Sequence, residues 1–316
     1  MNTTSATQPP ASRRRRRFVR EAPDPFQLTQ RDIALVRLVA EHRFLQSTHL
    51  SDLCQAPHKK VCDRLTSLFH ASYLDRPRAQ FEAFRNGGGS AAMVYALASR
   101  GARLLIEHGD DAADVDWTRK NDLAGRQFIQ HTLAISDVRV ALQRAIRERP
   151  GCQILEPSEL LATAPQDTRR RKQPWMMRAK VYSNGSVYDL GVAPDYVFAV
   201  GTSDRRFRTF LVECDRGTMP VDRGTLMQTS IKRKFLTYTA AKRHGEHTRQ
   251  YGWKAFRVLV ITSNRQRADH ILPTIRACVP EHDRALFLVA DRLALAGTDI
   301  FSHAWRDARG RTHALI

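Results

Sequence analysis

Apolar positions recur at helical spacing through the first third of the chain, and at strand spacing through much of the remainder. Ile33, Val36, Leu38 and Val39 form one stripe ending near His42, and Thr29 followed three residues later by Asp32 is a capping-box-like start for that helix. Ser47 or Thr48 can cap a short second helix through Leu50, Leu53 and Cys54, and Pro57 sits where a helix tolerates proline, at its first position. In the third helix Val61, Leu65, Leu68 and Phe69 repeat at i, i+4, i+7 and i+8 and face inward. His58, Lys59, Lys60, Asp63, Arg64 and Ser67 therefore face outward.

After the third helix come Tyr73 to Arg78, a strand around Phe81 to Arg85, the turn Asn86-Gly87-Gly88-Gly89-Ser90 and a strand Met93 to Leu97, which together read as a hairpin carrying Arg76, Arg78 and Arg85. Ser99 then caps a last helix, Arg100 to His108. Three short helices closed by a basic hairpin predict a winged helix-turn-helix over residues 26–110. Its outward face, His58, Lys59, Lys60, Arg64 and Ser67, suits a DNA major groove, with Arg76, Arg78 and Arg85 on the wing. These charges favour duplex DNA over a purely protein-docking use. A palindromic target would call for a homodimer.

The pattern changes after residue 118. A long helical stretch from Asn121 to about Glu148 places Phe128, His131, Ile135, Val138 and Leu142 on one stripe, so His131 is expected to point inward. Strands follow at Ala179 to Tyr182, Val187 to Leu190 (across an Asn184-Gly185 hairpin turn), Tyr196 to Val200 and Phe207 to Glu213. A helix around Leu226 to His244, the apolar strand Phe256 to Ile261, a helix Asp269 to Ala277 and a strand Leu286 to Val289 complete the order. The fold class predicted is thus α+β or α/β in two domains: the winged helix, then a restriction-endonuclease-like αβββαβ domain over 118–316.

That skeleton carries an unusual set of charges. Asp195, behind Pro194, begins one central strand, and Glu213 lies 18 residues later near the end of the next. Asp215 falls on the same strand face as Glu213, because strand side chains alternate. Carboxylates on apolar strands must be paired or bound to a cation. Asp195, Glu213 and Asp215 are therefore candidate Mg²⁺ ligands against a DNA backbone. Phosphodiester hydrolysis also needs a cation near the developing charge, usually Lys two residues beyond the Glu, and here that position is Asp215. Lys232 and Lys234 on the following helix are the nearest substitutes, with Arg216 and Arg223 in the loop. The alternative is that the carboxylates pair with these cations in a catalytically silent scaffold.

Composition sharpens the choice of partner. The 316 residues hold 51 Lys plus Arg against 32 Asp plus Glu, a formal net charge of +19, which favours a polyanion. Arg13 to Arg17 with Arg20 supply six of these charges, so the rest of the chain is basic too. Residues 1–25 read as a disordered Arg-rich arm able to grip phosphates without reading sequence. No apolar run suits a membrane span or a signal peptide, and five scattered cysteines without a CxxC pair fit a reducing cytoplasm. His49, Cys54, His58 and Cys62 fall close enough to weigh as a zinc site. Helical periodicity explains the two cysteines more simply, as small buried thiols.

Taken in order, Tyr95-Ala96-Leu97-Ala98-Ser99-Arg100-Gly101, His131-Thr132-Leu133, Pro194-Asp195, and Phe210 to Thr218 followed by Lys232, Lys234 and Tyr238 resemble the replication-relaxation family of mobile-element proteins over about residues 26 to 265. The resemblance implies binding of double-stranded DNA in the replication, relaxation or mobilisation of plasmids and integrative elements, beside a relaxase or replication protein. It leaves two readings of the second domain: a degenerate nuclease scaffold that docks DNA or a partner, or a Mg²⁺-dependent endonuclease or nickase using Asp195, Glu213 and a displaced Lys. No tyrosine has the setting of a nucleophile. Tyr238 and Tyr251 read as packing or phosphate-contacting residues.

Overall fold

The helix start expected at Thr29 is a reciprocal cap: the Asp32 N–H donates to the Thr29 hydroxyl at 3.4 Å, and the Thr29 N–H donates to the Asp32 carboxylate at 2.8 Å. This geometry comes from a computed structural model, which describes residues 18–22, 25, 27–80, 92–113, 115–202 and 207–316. The chain is a mixed α/β protein that divides into two units, residues 1–133 and 134–316.

In the first unit, α1 (Gln30–His42) leads into a short strand β1 (Phe44–Gln46), then α2 (Ser47–Cys54), α3 (His58–His70), β2 (Leu74–Asp75), β3 (Val94–Leu97) and α4 (Ser99–Glu107). Pro57 caps α3 rather than opening it. β3 lies between β1 and β2, antiparallel to both. Most of the stripes read from the sequence are core: Ile33, Val36, Val39, Leu50, Val61, Leu65, Leu68 and Phe69 are buried, whereas Leu38, Leu53 and Cys54 are only partly so. Gly101 has a packing reason, since a Cβ there would come within 2.2 Å of the Tyr73 carbonyl oxygen.

Two expectations change here, and a third group falls outside the described residues. The strand Phe81 to Arg85, the turn Asn86 to Ser90 and the Arg13 to Arg17 run lie outside the described residues. Arg20 is not part of a free arm: its guanidinium pairs with Asp75, donates to the carbonyls of Phe69 and Leu74, and lies over the Phe69 ring. A buried Asp75 supplies the reason, because an acidic group in that strand needs a cation. Finally, the helix expected from Asn121 is broken into α5 (Trp117–Asp122) and α6 (Arg126–Arg147). The buried Asn121 amide donates to Asp75 and to the Leu97 carbonyl, tying the end of α5 to β2 and β3. Phe128 is half exposed, edge-on to Phe44, and His131 is half buried.

The second unit is organised by a seven-stranded sheet. After α6 come β4 (Gln153–Leu155), α7 (Pro157–Ala162), α8 (Gln166–Arg169), β5 (Met177–Ser183), β6 (Ser186–Val192), β7 (Tyr196–Gly201), β8 (Phe207–Asp215), α9 (Ile231–Arg243), α10 (Glu246–Tyr251), β9 (Arg257–Thr262), α11 (Arg265–Cys278), β10 (Phe287–Asp291), α12 (Arg292–Ala296), β11 (Trp305–Arg306) and β12 (Thr312–His313). The sheet order is β12-β11-β10-β9-β8-β7-β4, with β8, β9 and β10 mutually parallel and the remaining neighbours antiparallel.

The hairpin β5–β6 turns at Asn184 and Gly185, both left-handed (φ 49° and 72°), as the Asn-Gly pair predicts. It forms its own two-stranded sheet instead of joining the central one. Its place there is taken by β4, whose three residues carry too little pattern to stand out in the sequence. One face of β8 packs Leu211 with Phe235, Tyr238, Val258 and Ile271, and the other packs Phe210, Val212 and Cys214 with Val138, Leu142 and Leu259. A central strand covered on both sides is a costly place for an acid. It holds two.

Candidate functional site

β8 ends in Glu213-Cys214-Asp215, all three buried, and alternation puts both acids on the α9 and α11 side of the sheet. The chain reaches α9 through Ser230, whose hydroxyl accepts the Arg233 N–H at 3.2 Å and fixes the helix start. Lys234 and Tyr238 then stand one helical turn apart, over the same strand position. The Lys234 ammonium donates to Glu213 Oε2 at 2.5 Å and the Tyr238 hydroxyl to Oε1 at 2.6 Å. Both oxygens of Glu213 are thus engaged from one helix.

Asp195, just ahead of β7, accepts the Cys214 N–H at 2.7 Å, while its own N–H donates to the Val212 carbonyl at 2.9 Å. Burial pushes the Glu213 carboxyl up to about 7, the Lys234 charge holds it down, and the nearby Asp195 charge adds to the rise. Burial works against the Lys234 ammonium, but the Glu213 and Asp195 carboxylates outweigh it and move the amine upward. Burial, then Glu213, raises the Tyr238 hydroxyl far above its ordinary value. Tyr238 therefore holds Glu213 from inside the core, and Tyr251, buried and bonded to the Pro174 carbonyl at 3.0 Å, is likewise packing. Neither is placed to contact a phosphate.

Of the candidate residues, the structure brings together Asp195, Glu213 and Lys234. Lys232 points elsewhere and pairs with Asp222 at 2.8 Å. Arg223 bonds Gln228. Asp215 is held apart by a residue with no local signal in the sequence: Arg267, in the first turn of α11, donates to it at 2.6 and 3.3 Å and to the Met219 carbonyl at 2.6 Å. The Gly217 N–H adds a third bond, at 3.1 Å. Among the described residues no three His, Cys, Asp or Glu side chains gather as a metal-holding group. The zinc arrangement weighed for His49, Cys54, His58 and Cys62 is not formed, and none of the cysteines is in a disulfide.

The outward face of α3 is also narrower than its spacing implies. Lys59 and Lys60 are exposed in the first turn, beside His58, whose Nε2 meets Ser47 Oγ at 3.0 Å and Cys62 Sγ at 3.4 Å. Arg64 turns back to the fully buried Asp32, joining α3 to the cap of α1, and this pairing raises its pKa. Asp32 needs that cation, because it sits in the core with its charge bound into the helix start. Ser67 bonds its own helix at the Asp63 carbonyl. Arg76 donates to Thr66 and Tyr95 at 2.8 and 3.0 Å, its guanidinium 4.4 Å from the Phe69 ring centroid. Arg78 is exposed, and Arg85 lies outside the described residues.

No helix among the described residues is long and apolar enough to cross a membrane. No curated protein and no solved structure matches the chain. The family model described as replication-relaxation matches residues 36–255 of the 316, spanning α3, β7, β8 and the Glu213–Lys234 pair, and the protein belongs to the replication-relaxation family.

Proposed function

We propose that the protein is a double-stranded-DNA-binding component of a plasmid or integrative element, acting in the cytoplasm in replication, relaxation or mobilisation, with its first unit used as a winged helix. The observation that carries this reading is the exposed Lys59-Lys60 pair on the first turn of α3, set on a chain of formal net charge +19. Three helices around a β1-β3-β2 sheet supply the scaffold, and Arg78 the exposed charge at the wing side. Replacing Lys59 and Lys60 together by Gln is expected to weaken duplex binding by about tenfold at low salt and to lower the slope of log affinity against log salt by about 2. Titrations at several salt concentrations check this. Unchanged affinity and slope would remove α3 as the DNA-contacting element.

The second unit is read as a restriction-endonuclease-like scaffold with α6, β4, β7, β8, α9 and β9 as its αβββαβ core and the β5–β6 hairpin as an insertion. It would dock DNA, a relaxase or another replication protein. Nuclease chemistry is the second reading, favoured by the Lys234 ammonium at Glu213, a lysine supplied from α9 in place of the strand position that Asp215 holds. That chemistry implies Mg²⁺, and the side chains do not fit a preformed site for it. Glu213 gives one oxygen to Lys234 and the other to Tyr238, one Asp195 oxygen takes the Cys214 N–H, and Asp215 belongs to Arg267. No cleavage step is therefore derived.

Supercoiled plasmid incubated with Mg²⁺ or Mn²⁺ separates the readings. The scaffold reading expects no nicking by the wild type, with Asp195→Asn and Glu213→Gln still binding duplex. Nicking by the wild type that both substitutions abolish would establish the enzyme instead.

A further inference from the structure

At the opposite end of β8 from Glu213, a cleft of about 740 Å³ opens between the starts of β8 and β9, the loop after α10 and the β12 segment. Glu213 is six residues along the strand from Phe207, so the cleft lies roughly 20 Å from the carboxylate pair at about 3.3 Å per residue. Its size falls within the few hundred to about 1,000 Å³ usual for small-ligand sites.

The lining combines cations and rings. Arg208, Lys254, Arg257 and His313 contribute the polar side, Phe207 and Trp253 the flat apolar side, and no carboxylate lines the cleft among the described residues. Asp307, the acid whose charge reaches Arg257, has further partners: its Oδ2 meets His313 at 2.7 Å, and its Oδ1 takes the N–H groups of Arg309 and Arg311. Arg208 gives one guanidinium nitrogen to the Leu315 carbonyl at 2.8 Å. The Arg257 guanidinium makes no hydrogen bond or salt bridge among the described residues, and its half-buried charge is close enough to Arg208 to be repelled and to Asp307 to be attracted. Like charges gathered in a half-buried cleft are costly unless an anion joins them.

The rings are held in place as well. Trp253 is stacked on Tyr251 (centroids 4.3 Å apart) and Trp175 (6.0 Å), which makes it a rigid wall. Phe207 is 49% exposed, an unusual state for a phenyl ring at the start of a central strand. Its ring lies across Gly201 on the neighbouring strand, where a Cβ would come within 2.5 Å of it. A bare strand position therefore gives the ring its seat, and the ring's other face meets solvent.

We propose that this cleft binds a nucleotide unit, with the phosphate held by Arg208, Arg257 and Lys254 and the base laid against Phe207. The unit is either a free nucleotide or the phosphorylated end of a DNA strand. The site is independent of the α3 surface and of the Glu213 pair.

Equilibrium binding to the full-length protein, in a Lys59→Gln/Lys60→Gln background that weakens duplex contacts, tests it. The probes are inorganic phosphate, a deoxynucleoside 5′-monophosphate and a short single strand with or without a 5′-phosphate. Phe207→Ala is expected to weaken nucleotide binding about tenfold, in line with a base–aromatic stack, while leaving the weaker phosphate binding unchanged. Lys254→Gln and Arg257→Gln should weaken both. Monophosphate binding identifies a free nucleotide as the ligand, whereas binding confined to the 5′-phosphorylated strand identifies a strand end. Phe207 and Lys254 are exposed, so these two variants should unfold at the wild-type temperature and keep the test valid if Arg257→Gln is unstable. The proposal is overturned if no probe binds saturably, or if binding is indifferent to Phe207→Ala and Lys254→Gln.

Discussion

A Lys234→Met variant is expected to lose about 3 to 5 kcal/mol of folding stability near pH 8 and distinctly less near pH 5. The partners are well shielded, with side-chain exposures of 21% for Lys234 and 7% for Glu213. Removing one ion from such a pair strands the other. The pH dependence follows from the direction of the Glu213 shift, from an ordinary 4.5 up to about 7. A raised carboxyl pKa means that the folded state holds the proton more tightly than the unfolded chain. Its stabilising contribution is present below about 4.5 and is lost as pH climbs to about 7, which at about 1.4 kcal/mol per pH unit amounts to about 3 kcal/mol.

Lys234 shifts upward, so its own contribution is present through neutral pH and lost only in the alkaline range above its ordinary 10.5. Without its ammonium, Glu213 ionises with only Tyr238 as donor. The carboxyl then titrates higher still, and the decline in stability extends past neutrality. Denaturant unfolding of wild type and Lys234→Met at both pH values measures the difference. Glu213→Gln should flatten the wild-type decline between about pH 4.5 and about pH 7. Equal deficits at both pH values would mean that Glu213 is not the titrating partner.

Arg267→Met is expected to cost a similar amount, about 3 to 5 kcal/mol, for a different reason. Asp215 has a side chain only 3% exposed and would keep a single described donor, the Gly217 N–H. Arg267 also holds the Met219 carbonyl, so its loss should loosen the loop after β8 and speed proteolysis between residues 216 and 230. In a double-mutant cycle with Asp215→Asn, the double variant should cost about 2 kcal/mol less than the two single losses added together. Additive losses would show that the bidentate pair is not coupled. The ion pair uses Asp215 as a structural clamp, which accounts for an acid at a buried strand position.

Much of the fold was legible because its signals are local. The Thr29–Asp32 cap, the i, i+4, i+7 stripe of α3, the Asn184-Gly185 turn and the apolar strands at 196–200 and 256–261 each follow from neighbours in sequence, and each is present. The losses are equally physical. β1, β2 and β4 are two or three residues long, too short for alternation to register. The break before α6 depends on an Asn121 amide reaching Asp75, 46 residues away. Arg64 had the right spacing for an outward face and Arg76 a place on the wing, but long side chains go where a buried acid or an aromatic ring draws them.

The candidate site divides along the same line. Alternation along β8 placed Glu213 and Asp215 on one face, and the pattern of apolar strands placed Asp195 beside them. Lys232 and Lys234 were indistinguishable as substitutes in sequence, two residues apart on a helix of unknown rotation. By itself, the amino-acid sequence determined the longer secondary elements, the basic character of the chain and the presence of acids on buried strands, because caps, periodicity and charge act between near neighbours. Only the tertiary structure decided that Lys234 rather than Lys232 meets Glu213, that Arg267 claims Asp215, and that Arg208, Lys254, Arg257 and Phe207 share one cleft. Those pairings span from 21 to 52 residues, and each is fixed by how helices rotate and strands register when apolar faces close over charges that must find partners.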